Sequence, residues 1–275
     1  MNAEPSRSNL ESAAAAGGPA DTAESGLPGA RTPARATPAR RLWLATLGAG
    51  LVSGLIAWVG GEAIYPAFHV QDEIVYPANY KTLGGYQKQG VDSNIRGAAQ
   101  RVVERKKAAA SFGLLGLVLA AGLGLSGGWA SGSPRRAALA AAGGGLVGVL
   151  AGAGLSWAVV TVFFRYVDPE SGFTVLSLTH AAIFIGIGAA AGLGLGLGLG
   201  DGPSTVRALF GGLAGGSIGT IALETVNALA FPMMPALEPI ATERIARLVM
   251  YLCVAIATGL IAGLIAPGRA RIPTK

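Results

Sequence analysis

Uncharged apolar residues run along this chain in long blocks separated by short polar breaks. Six blocks stand out, over about residues 42–68, 108–129, 137–164, 174–200, 208–231 and 245–267. A bilayer's hydrocarbon core, about 30 Å thick, is crossed by about 20 apolar residues in a helix. The pattern therefore predicts an all-α fold: a polytopic integral membrane bundle of six transmembrane helices, filling a membrane domain over 41–268.

One block admits a second reading. Residues 192–200 read GLGLGLGLG, an alternation with the period of a strand. A membrane strand alternates polar with apolar residues and crosses in about 10 of them. Here both residue types are apolar, and the run begins near Thr174. Wound as a helix, the same letters set Gly188, Gly192, Gly196 and Gly200 on one ridge. Gly186, Ala190, Gly194 and Gly198 form a second ridge on nearly the opposite side, since each residue turns by about 100°. Small residues four apart let neighbouring helices approach closely. The segment is thus expected to be a helix packed between two others, against the rival of a glycine tract fraying toward Asp201. Gly144, Gly145, Gly215 and Gly216 offer similar packing surfaces in the third and fifth spans.

The blocks also resemble one another. Arg136–Gly148, RAALAAAGGGLVG, lies over Arg207–Gly219, RALFGGLAGGSIG, and the same register carries Ala191–Leu193 onto Ala262–Leu264. In the first span GAGLV at Gly48–Val52 matches GGGLV at Gly143–Val147, and AGLGL recurs at Ala121–Leu125 and Ala191–Leu195. Three parallel two-helix repeats are expected, over about 41–128, 136–202 and 207–268, with an extramembrane loop of about 69–106 inserted in the first. Parallel repeats imply an axis along the membrane normal. Mitochondrial carriers share that plan, but their Pro-x-acid-x-x-base motif is absent: the odd spans end in YPAFHV, FRYVDPE and FPMMPA.

Composition agrees. Charged residues make up 13% of the chain and mean hydropathy is +0.51, whereas soluble domains carry about 25% charge. The net charge of +6 does not call for nucleic acid as a partner, because much of it flanks spans. Arg35, Arg40 and Arg41 precede the first, Arg135 and Arg136 follow the second, Arg207 follows the fourth, and Arg269, Arg271 and Lys275 follow the sixth. By the positive-inside rule both termini are expected in the cytoplasm, with a bacterial inner membrane as the location. The basic loop after the first span is long enough to cross regardless of charge. Residues 1–40, rich in Ala, Pro, Ser, Gly and Thr, are expected to form a disordered cytoplasmic tail without a signal or transit peptide pattern, and 269–275 a short cytoplasmic end. The single cysteine, Cys253, excludes an internal disulfide.

Ionisable groups within spans are the candidate chemistry, because their desolvation is costly. Glu62 late in the first span, His180 early in the fourth and Glu224 late in the fifth lie at similar depth, with Asn227 one turn beyond Glu224. Together they would form a polar layer able to bind a proton or cation. The plain alternatives are a Glu62 that snorkels to water and a His180 satisfied by a backbone carbonyl. Ser53 in GLVSGLIA lacks a nucleophile-elbow context, His69 and His180 lack metal-ligand spacing, and no GxxxxGK[ST] loop occurs. No enzyme activity, metal or cofactor is expected. The segment 95–107 reads as a basic helical lead into the second span, either resting on anionic headgroups or meeting a partner. Pro66 and Pro232 are expected to kink or end their helices. Two functions follow as expectations: a small transporter or channel-like protein for a proton, cation or small solute, or a non-transporting scaffold built on glycine packing. The bilayer is the expected partner, with a second copy or another membrane protein beside it.

Overall fold

The computed structural model describes residues 39–166, 172–230 and 239–267. The tail 1–38, Asp168, Glu170, Pro232, Glu238 and the C-terminal end lie outside them. The described residues fall within one unit, Thr37–Lys275. They form six α-helices and no strand: α1 (Ala39–Ile64), α2 (Gly85–Ala130), α3 (Pro134–Tyr166), α4 (Gly172–Leu199), α5 (Gly202–Ala230) and α6 (Arg244–Ile265). All six are long and apolar enough to cross a membrane.

Local chemistry sets the helix ends. Pro66 cannot supply the backbone N–H that a continuing helix needs, and α1 gives way at Ile64 to a 3-10 turn, Tyr65–Ala67. The turn after α2 uses Gly132 at φ 73°, followed by Ser133 and then Pro134 as the first residue of α3. The turn after α4 uses Gly200 at φ 82°, with the Asp201 carboxylate accepting the Ser204 N–H at 2.8 Å. In each, a left-handed glycine stops one helix and a polar cap starts the next. Gly200 therefore ends α4 rather than extending its packing ridge.

Each helix packs on its neighbours in sequence, and α6 closes the ring against α1. In addition α2 packs on α4, which makes α4 the most enclosed span. Its glycines account for that. Cβ atoms added at Gly188, Gly192 and Gly196 would strike Gly212, Ala208 and Thr205 of α5, whereas at Gly194 and Gly198 they would strike Ala120 and Gly124 of α2. Gly144 lies against Gly194 and Ala120, Gly145 against Leu117, Gly215 against Thr258 and Gly216 against Phe184. The GLGLGLGLG segment is a helix wedged between two backbones.

The region expected as a loop over 69–106 is largely helical. The second helix has 46 residues, and its part before Ala108 continues beyond the apolar stretch for about 35 Å at 1.5 Å per residue. Residues 68–84 fold back along this stalk. Lys106 pairs with Glu73, and the Tyr80 hydroxyl donates to the Asp92 carboxylate at 2.8 and 2.9 Å. That carboxylate pushes the phenol above its usual value near 10. Lys88 sits 5.8 Å from the centre of the same ring.

Candidate functional site

The polar groups gather at the end of the bundle away from the N-terminus of α1, in two clusters. In the first, His180 from α4 meets Glu224 from α5, Nδ1 to Oε1 at 3.0 Å. His180 is 4% exposed, and its ring stacks on Phe184 with centroids 5.5 Å apart. Its Nε2 lies 3.0 Å from the Pro239 carbonyl oxygen. A carbonyl only accepts, so Nε2 carries a hydrogen and donates it. The Nδ1–Oε1 contact then requires one further proton, either on the imidazole as an ion pair or on the carboxyl group as a neutral pair. Without it, a nitrogen lone pair would face a carboxylate. The geometry lets the pair share a proton between Nδ1 and Oε1.

In the second cluster, Glu62 from α1 receives a forked pair of bonds from Arg247 of α6, Nε to Oε1 at 2.6 Å and Nη2 to Oε2 at 2.9 Å. Arg247 Nη1 donates to the carbonyls of Ala241 and Thr242 at 2.9 and 2.6 Å. Four of its five N–H groups are thus satisfied, which is how a guanidinium tolerates this depth. Arg244 approaches Glu62 at 3.4 Å from a largely exposed position. Tyr65 presents its ring to two cations, with Arg247 4.2 Å and Lys107 Nζ 4.3 Å from the centroid. Lys107 in turn pairs with Glu104 at 3.3 Å.

The sequence-predicted layer is therefore divided. His180 and Glu224 come together, whereas Glu62 is held by Arg247 instead. Asn227 lies three residues beyond Glu224, half-buried, with no hydrogen bond to the dyad. Phe184, stacked on the His180 ring, packs edge to face on Phe112 at 5.6 Å. Residues 239–242 join the two sides: Pro239 accepts from His180, and Ala241 and Thr242 accept from Arg247.

Arg247, Tyr65 and the Pro239 carbonyl were not foreseen as site groups. An arginine one turn inside an apolar helix, in RIARLVMY, was the available signal for Arg247. A backbone carbonyl leaves no signal in a sequence. Ser53 donates to the Val118 carbonyl at 3.1 Å, which ties α1 to α2. Among the described residues no group of three or more His, Cys, Asp or Glu side chains is placed to hold a metal. No protein family, curated protein or solved structure matches the chain.

Proposed function

We propose that this chain is a small proton-linked membrane transporter or channel-like protein in which the His180–Glu224 dyad carries the proton. The dyad is the observation behind this reading: a carboxyl–imidazole pair held at 3.0 Å between two apolar helices, with the imidazole buried. Buried ionisable pairs of this kind commonly mark proton relays. The seam that holds it is also suited to movement. Gly188 and Gly192 of α4 face Gly212 and Ala208 of α5 almost backbone to backbone, so no large side chains interlock across that stretch. A proton gained or lost at the dyad changes its bond to Pro239, and through residues 239–242 its link to the Arg247–Glu62 pair.

The location we propose is the inner membrane of a bacterium with both termini cytoplasmic, because Arg135, Arg136 and Arg207 flank the short turns on the N-terminal side. Three parallel hairpin repeats remain our reading of the chain. The matching glycine–cap–proline turns and the cyclic order of helix neighbours support it.

The test is proton flux in liposomes containing the full chain and a trapped pH dye, driven by a potassium–valinomycin potential. The wild type is expected to change the internal pH faster than empty liposomes do, and Glu224→Gln and His180→Gln to stop this while keeping a monodisperse elution profile. A wild type no faster than empty liposomes refutes the reading. That outcome favours the assembly scaffold, whose support is the stalk of α2, long beyond any need of spanning and bearing Tyr86 at 95% exposure.

A further inference from the structure

At the seam of α2 and α3, on the same end of the bundle, Arg105 lies over Trp157, with Arg101 and Arg165 further out along the two helices. Arg105 lies over the Trp157 ring at 5.4 Å, and its Nε donates to the Arg101 carbonyl one turn earlier. The helices run antiparallel in close register, with Gly152 against Phe112 and Gly148 against Gly116. Following α3 outward from Gly152 while following α2 back from Phe112 brings Arg165 level with Ala99, within a turn of Arg101. Trp157, Thr161 and Arg165 are four residues apart and share a face of α3. Arg101, Arg165 and Trp157 are exposed. Among the described residues no carboxylate pairs with Arg101, Arg105 or Arg165, although Glu62, Glu73 and Glu104 pair with other cations nearby.

Depth decides what such a cluster meets. Lys106 and Lys107 are the last charges before the apolar stretch of α2, so Arg105 stands where hydrocarbon gives way to headgroups. Tryptophan is the residue that favours this level. A group seated here would find guanidinium donors suited to phosphate oxygens, with apolar helix surface directly below. We infer that Arg101, Arg105, Arg165 and Trp157 form a binding site for an anionic phospholipid, with the headgroup phosphate on the arginines and the acyl chains along the α2–α3 seam. This site is independent of the His180–Glu224 dyad.

The experiment is native mass spectrometry of the full chain released from detergent, titrated with phosphatidylglycerol or phosphatidylcholine. The wild type is expected to retain phosphatidylglycerol preferentially. Arg101→Gln/Arg165→Gln, which leaves the Arg105–Trp157 contact in place, is expected to bind it at least about tenfold more weakly, since each basic group near a membrane surface adds measurably to anionic lipid affinity. Arg135→Gln/Arg136→Gln at the opposite end is the control and is expected to retain wild-type binding. Equal retention by the Arg101/Arg165 variant and the wild type overturns the site. Competition by inorganic phosphate at the lipid's own concentration overturns the lipid in favour of a soluble anion.

Discussion

Gly148 and Gly154 lie six residues apart on the same helix, and alanine at these two positions should move stability in opposite directions. A Cβ at Gly148 would come 2.1 Å from the Gly116 carbonyl oxygen, and one at Gly116 would come equally close to Gly148. Ordinary contact begins at 3.4 Å, so α2 and α3 must part locally by up to 3.4 − 2.1 = 1.3 Å. A gap of about 0.5–1 Å already forfeits a quarter to a half of each dispersion contact across it. The neighbouring close approaches, Gly152 on Phe112 and Gly144 on Ala120, would be loosened too. Overpacking of this kind costs about 1–3 kcal/mol. At Gly154 nothing lies within 4 Å, and alanine there gains up to about 1 kcal/mol of helix preference. Thermal unfolding in detergent, followed by loss of monodisperse protein on gel filtration, should place Gly148→Ala below the wild type and Gly154→Ala at or above it. Equal midpoints for the two variants would refute the claim that backbone contact between α2 and α3 sets their separation.

Three further outcomes are expected. Arg247→Met should destabilise by about 1–3 kcal/mol, because it leaves the half-buried Glu62 carboxylate with only the exposed Arg244 beside it; Glu62→Gln added to it should restore much of the loss, as read from a double-mutant cycle of unfolding midpoints. Tyr65→Leu removes a ring facing two cations and should cost about 1–3 kcal/mol in the same assay, against the value of a desolvated cation–π contact. The Tyr80 phenol, held above its ordinary value by Asp92, should ionise at lower pH in Asp92→Asn than in the wild type, as read from an ultraviolet difference titration. The sign follows from linkage: the folded state holds this proton more tightly, so the stabilisation is complete below pH 10 and is lost as pH rises through the raised value.

The sequence by itself determined the six spans, because apolar run length against membrane thickness is a one-dimensional property. It also determined that the glycine–leucine run, up to Leu199, would be helical and in contact on two sides, since the four-residue spacing of small residues is already a statement about helix faces. His180 and Glu224 were legible as candidates for the same reason: a charge inside an apolar run stands out wherever the helix goes. Tertiary structure decided which candidates meet. Depth along a helix is countable, but the angular position of each helix about the bundle is not, so Glu62, His180 and Glu224 shared a level without sharing a partner. Glu62 faces α6 and is taken by Arg247, while α4 turns His180 toward α5. Only the fold shows that the Pro239 carbonyl faces the imidazole's Nε2, because a carbonyl's role depends on where the chain brings it. The stalk was legible in part: 95–107 reads as a helical lead, whereas its continuation back to Gly85 shows only in the fold.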